Sequence, residues 1–222
     1  NDNSVAVNDL SGAGSVTNGS TGTATLELGA GVANTTVSGV TLDDGAGTLA
    51  ITKNGSGTAT IAADVTASGV SGATTISTGQ LNINAAVGGV GTVADGATLG
   101  GEGSAAGLVT LGGASGGVNV AVDAAVAVTA FTAGGNLDLN NGTHTVVLEV
   151  PPGPGVTTFN VIKYTGSLQN GDHTNFQLAN AGNYRAANFA HDTGNKAITL
   201  NILNVTHGWK GQTNDDWDID GT

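Results

Sequence analysis

Residues Ile51-Thr52-Lys53-Asn54-Gly55-Ser56-Gly57-Thr58-Ala59-Thr60-Ile61 are followed by Gly72-Ala73-Thr74-Thr75-Ile76-Ser77-Thr78-Gly79-Gln80-Leu81-Asn82-Ile83, a second phrase of the same pattern. In both, aliphatic residues stand two apart between Thr, Ser or Asn, and glycine closes each run. A period of two sends alternate side chains to opposite faces of a strand, so one face is buried and the other solvated. Short self-similar strands separated by glycine turns predict a solenoid, whose units bury their apolar faces by stacking on one another. Such a rod offers a long repetitive surface, better suited to scaffolding or adhesion than to an enclosed catalytic pocket.

Composition narrows the core and the partners. Of 222 residues 38 are glycine, cysteine and methionine are absent, and the hydrophobic fraction is 39%. The core is therefore narrow and aliphatic, built from β-branched residues that fit a pleated surface. Frequent Gly and Thr lower helix propensity in nearly every window. The regular spacing of Val, Leu and Ile argues against the disorder that glycine-rich acidic chains often show. Formal net charge is -12, with Arg185 the only arginine and four lysines, which leaves no basic surface for nucleic acid or an anionic membrane. No run of about 18 apolar residues is present, so no membrane-spanning helix is expected. The chain begins at Asn1 rather than Met and reads as a processed or excised piece, with any export signal upstream. Absence of cysteine is compatible with passage through a bacterial envelope.

A composition shift divides the chain. Of eight aromatic residues only Phe131 precedes residue 150, and four of the five basic residues follow it. Residues 1–130 read as the β-helix repeat region, with strand pairs at Leu26 and Leu28, Leu49 and Ile51, Leu81 and Ile83, and Val118 and Val120. At roughly 20 residues per turn, six turns would make a rod about 30 Å long. Residues 131–204 read as a β-rich capping region of longer strands: Thr143 to Val150, Thr157 to Tyr164, Asn175 to Ala179, Tyr184 to Ala190 and Lys196 to Leu203. These are expected to form an antiparallel meander, with a break at Pro151-Pro152-Gly153-Pro154-Gly155 and a hairpin turn at Asp192-Thr193-Gly194-Asn195. A cap of this kind covers the open edge of the last turn. Residues 205–222 form an acidic, aromatic tail or the start of a further unit.

Lys53-Asn54-Gly55-Ser56-Gly57-Thr58, Gly72 to Ile83, and Ala97-Thr98-Leu99-Gly100-Gly101-Glu102-Gly103 together resemble the autotransporter-associated β-strand repeat of bacterial passenger regions and very large surface proteins. The resemblance covers about a third of the chain. Residues 156–203 are similar to the strand-rich cap that follows such repeats, and Trp209-Lys210-Gly211 with Trp217-Asp218 to the opening of another unit. The sequence departs from the family pattern at Ala62 to Val70, which lacks the Asn and Tyr usual between two phrases. The resemblance implies a right-handed parallel β-helix displayed outside the cell as adhesin, matrix or fibre, and brings no active-site residues with it.

Asp216-Trp217-Asp218-Ile219-Asp220-Gly221 fits the first half of a calcium loop, with Asp216, Asp218 and Asp220 as oxygen ligands on alternate residues. The glutamate that would complete it falls beyond Thr222, and a polar strand-turn with a packing tryptophan is the plainer reading. Asp43-Asp44-Gly45 is a carboxylate pair of the kind used in sugar hydrolysis, but Asp-Gly equally suits a turn with positive φ. His144, His173, His191 and His207 show no metal-ligand spacing and read as surface or turn histidines. Asn18, Asn34, Asn54, Asn141 and Asn204 begin Asn-x-Ser/Thr sequons, which an Asn- and Thr-rich chain contains by chance. Runs such as Gly112-Gly113-Ala114-Ser115-Gly116-Gly117 lack the Lys and helix of a phosphate loop.

The expected protein is thus a non-enzymatic, extracellular or cell-surface structural module that requires no cofactor, with calcium at the acidic tail as its one metal candidate. Head-to-tail contacts between copies would be heterologous and non-closing, giving a fibre, with Trp209 and Trp217 as the contact residues. The alternative is an adhesin or carbohydrate-binding passenger domain with a glycan site on one face. Partners therefore comprise further copies of the chain and glycans, without nucleic acid and without membrane insertion. A β-helix enzyme would need a basic residue beside acidic ones, and the repeat region holds only Lys53.

Overall fold

The computed structural model describes residues 3–31, 34–113, 116–123, 130–150, 158–179, 181–184 and 186–203. These residues wind into a parallel β-helix with three sheet faces. Face A stacks Asn3–Val7, Thr23–Leu28, Thr48–Lys53, Thr74–Ile76, Gly91–Val93, Val109–Leu111, Leu137–Asp138 and Leu168–Gln169. Face B stacks Leu10–Ser11, Asn34–Ser38, Thr58–Ile61, Gln80–Ile83, Thr98–Gly100, Asn119–Asp123, His144–Val150 and Phe176–Leu178. Face C stacks Ser15–Asn18, Thr41–Gly45, Thr66–Gly69, Ala86–Val87, Ser104–Ala105, Thr132–Ala133 and Thr158–Tyr164. Eight rungs result, the six expected of residues 1–130 and two more from the region read as cap, about 34 Å from first to last at the usual strand spacing.

The expected meander is narrower than its sequence suggests. Val120 pairs with Val146 and Val146 with Leu178 in parallel, and Ala133 pairs with Tyr164 in parallel, so these strands are further rungs. Among the described residues only Ala186–Asp192 and Ala197–Leu203 form an antiparallel hairpin, closed at the expected turn by Asn195 N–H donating to Asp192 Oδ1 at 2.9 Å. Ala197–Leu203 inserts beside Thr158–Tyr164 and pushes Ala186–Asp192 one place outward, ending the parallel ladder of face C. Ile198, Leu200 and Ile202 are buried by this closure.

Alternation decides which residues fill the rod. Leu26, Ile51, Thr74, Gly91, Val109 and Leu137 stack inward on face A, and Ala59, Leu81, Leu99, Val120 and Val146 on face B. A second inward column on face A runs Leu28, Lys53, Ile76, Val93, Leu111. Lys53 is therefore a core residue with 0% exposure. Its ammonium donates to the carbonyls of Asn54 (2.9 Å), Gly55 (2.7 Å) and Thr78 (3.4 Å), joining two rungs at one corner. Burial pushes its pKa below the ordinary lysine value.

That corner, between faces A and B, needs left-handed backbone at nearly every rung. Gly29, Gly55, Gly79, Gly96 and Gly112 have φ between +69° and +82°, and Asn140 and Asn170 hold the same conformation with φ of 50°. Glycine adopts it without steric cost, and Asn is among the few other residues that tolerate it. At Gly79 a Cβ would lie 2.5 Å from Gly57 O and closer still to Gly55 O, so the glycine also lets consecutive corners stack at strand spacing.

Candidate functional site

A cleft of about 500 Å³ lies along the outer edge of face B. Its position follows from strand length. Thr98–Gly100 is short, whereas the two later strands Asn119–Asp123 and His144–Val150 overhang it and carry Asp123 and Glu149 to the rim. The outward column Thr36, Thr60, Asn82 continues into Gly100, and Asn82, Gly101 and Ala121 line the floor of the cleft beside it. A Cβ on Gly100 would overlap Asn82 Oδ1 and lie 3.1 Å from Ala121 Cβ, so the missing side chain leaves the Asn82 amide room to lean over the floor.

The cleft's polar groups are held in place. Gln80 Nε2 donates to Asn82 Oδ1 at 2.8 Å and also to Glu149 Oε1, tying rim to floor. Asn84 Oδ1 accepts from Glu102 N–H at 3.1 Å. Ala63, Ala121, Val122 and Val161 supply the apolar wall, while Asn82, Asn84, Glu102, Asp123 and Glu149 supply amides and carboxylates. Among the described residues no histidine, lysine, arginine or aromatic residue lines it. Among the described residues no three His, Asp or Glu side chains converge as a metal-ligand set. Such a lining suits hydrogen bonding to a polyhydroxylated ligand.

The residues singled out from sequence are dispersed. Asp44 lies in a face C corner, where its Oδ1 accepts from Leu49 N–H (2.8 Å) and Ser71 N–H (2.9 Å). Slight desolvation raises its pKa, but hydrogen bonds from Ser71 and Leu49 prevail and hold it below the ordinary carboxylate value. The Leu49 bond closes its own corner and the Ser71 bond ties it to the next, and Gly45 has φ +67°, so the Asp-Gly turn reading is the one observed.

His144 is no surface histidine. It is 0% exposed, pointing inward by the same alternation as Val146. Nδ1 accepts from Val118 N–H at 3.4 Å and Nε2 lies 3.0 Å from Leu139 O, an arrangement satisfied by the neutral Nε2–H tautomer. Desolvation pushes its pKa down, against smaller upward pulls from the Leu139 carbonyl and Asp95. His191 pairs instead with Tyr164 OH at the cap.

Asn18 is also buried, its amide donating to Gly22 O (2.7 Å) and Thr48 O (3.0 Å), whereas Asn34 is exposed. Asp216, Asp218, Asp220, Trp209, Trp217, His207 and Asn204 lie outside the described residues. Sequence reasoning missed the face B cleft, because its lining comes from five rungs brought together only by register. No protein-family model matches the chain, and neither does any curated protein or solved structure.

Proposed function

We propose that the chain is a non-enzymatic structural rod, a module of an extracellular or bacterial cell-surface filament or matrix. The observation that carries this reading is the parallel ladder itself, in register over eight rungs on faces A and B. Hydrogen bonds between rungs lie along the rod axis, so pulling the ends apart loads every rung at once. The first rung adds support: Asn3–Val7, Leu10–Ser11 and Ser15–Asn18 each pair on one side only among the described residues, and Val5 is 60% exposed. Such an edge is a template for a further strand. Head-to-tail contact with another copy continues the stack without closing it, which yields a fibre. The resemblance to autotransporter-associated repeats belongs to the same proposal, as does calcium at Asp216, Asp218 and Asp220.

Electron microscopy of the purified chain with and without calcium tests it. Fibres repeating at one module length are expected, lost on chelation if the acidic tail bridges copies. Deleting residues 205–222, with Trp209 and Trp217, is expected to abolish assembly and leave the circular dichroism spectrum unchanged. Monodisperse short rods under both conditions would refute the assembly reading. A second reading, a carbohydrate-binding passenger domain, is favoured by the polyol-compatible lining of the face B cleft.

A further inference from the structure

One outward column of face B alternates in kind from rung to rung. Asn34, Thr58, Gln80, Thr98, Asn119, Thr145 and Gln177 are consecutive register partners, so an amide stands on every even rung and a threonine between. All seven are at least partly exposed, and none is charged. With rungs one strand spacing apart, like residues recur every two rungs, about 9.6 Å. This is close to the disaccharide repeat of an extended β-1,4-linked hexose chain, in which alternate sugars are turned over and present the same edge every second residue. The cleft lies beside this column, lined by Asn82 and Ala121 two residues further along their strands than Gln80 and Asn119.

We infer that face B binds an extended β-1,4-linked polysaccharide lying along the rod axis, with one disaccharide per two rungs and a sugar ring seated in the cleft against Asn82. This specifies the ligand of the second reading above and rests on it. Amides offer both donor and acceptor to neighbouring hydroxyls, and threonine offers a hydroxyl with a methyl group against the sugar's C–H face. The Asn82 amide is oriented by Gln80, so little ordering entropy is lost when it binds. No aromatic platform is present in the column or cleft, so contacts accumulate by chain length rather than by stacking on one ring.

Isothermal titration of the full chain with cellobiose, cellohexaose and a chitosan hexamer, at low and physiological salt, tests the inference. Saturable binding of cellohexaose is expected, at least about tenfold tighter than cellobiose, since each further hydrogen bond contributes on the order of 1 kcal/mol. Asn82→Ala is expected to weaken it about tenfold by the same measure. Gly100→Ala, which displaces the Asn82 amide, should act in the same direction. Thr52→Ala, on face A, should leave binding unchanged and serves as the control. A preference for the chitosan hexamer that still falls in Asn82→Ala supports the inference and assigns an amino sugar, favoured by the rim carboxylates. Binding of the amine alone, abolished by salt and indifferent to Asn82→Ala, would overturn it. So would a lack of saturable binding to all three by protein with a parental melting curve. Fibre formation by Asn82→Ala is scored separately by microscopy, so loss of glycan binding and loss of assembly are distinguishable.

Discussion

Two glycines at the same corner allow the cost of stacking to be separated from the cost of left-handed backbone. Gly79 and Gly96 have φ of +69° and +76°, so alanine at either suffers the same conformational penalty, about 1–2 kcal/mol. They differ in what a Cβ would meet. At Gly96 nothing lies within 4 Å, whereas at Gly79 the carbonyl oxygens of Gly55 and Gly57 and Lys53 Nζ all lie under 3.0 Å. Relief requires moving the Gly55 peptide, whose oxygen accepts from Lys53 Nζ at 2.7 Å and from Thr78 Oγ1 at 3.2 Å. Losing the charge-assisted bond costs about 1.5–3 kcal/mol. Gly79→Ala should therefore destabilise by about 3–5 kcal/mol and Gly96→Ala by only the conformational term. For a chain of this size, each kcal/mol corresponds to a fall of about 2–4 °C in melting temperature. Thermal melts of both variants, checked by guanidinium titration, give the comparison. Equal losses would refute the claim that corner glycines are required for close approach as well as for φ.

Three further outcomes follow from buried groups and from the cap. Because burial lowers the folded-state pKa of His144, the unfolded chain takes up a proton first as pH falls below about 6.5, and stability declines by up to about 1.4 kcal/mol per pH unit until the folded pKa is reached. Urea midpoints between pH 8 and 5 should show this slope in the parent and a shallower one in His144→Gln, while parallel slopes would remove His144 as the cause. Thr74 Oγ1 is buried without a hydrogen-bond partner, so Thr74→Val should stabilise by about 1 kcal/mol, and a loss of that size on denaturant titration would contradict it. Deleting residues 186–203 uncovers the outer edge of Thr158–Tyr164, with Phe159, Val161 and Ile162, and should produce concentration-dependent association in sedimentation; a monodisperse product would show that the hairpin does not guard that edge.

Faces were legible in the sequence, and directions were not. The period of two placed Leu49, Ile51 and Leu81 inward, and the same parity, followed one step further, puts Lys53 and His144 there as well. Residue type outweighed position in reading His144 as a surface or turn group. Seven-residue strands such as His144–Val150 and Thr158–Tyr164 alternate identically in parallel and antiparallel pairing, so their pattern carries no sign of orientation. The hairpin at residues 192–195 was readable because its turn residues join adjacent strands directly. Rung length was unreadable for another reason: the interval between parallel register partners runs from 17 residues, Thr74 to Gly91, to 32, Val146 to Leu178. Corners absorb these differences at little energetic cost, since loop-closure entropy grows slowly with length. The cleft inherits that invisibility, because Gln80 and Glu149 meet only through four stacked strands.

The inward turn of Lys53 also determines how a protease sees the rod. It is the only lysine or arginine before Lys163, and its side chain is wholly enclosed. Trypsin acting on the folded chain therefore finds no accessible cleavage site in the first 162 residues, and digestion confines itself to the cap end. A single large fragment that persists under native conditions and is cut at Lys53 only after denaturation would be a direct readout of an intact ladder, obtained on a gel without any optical probe.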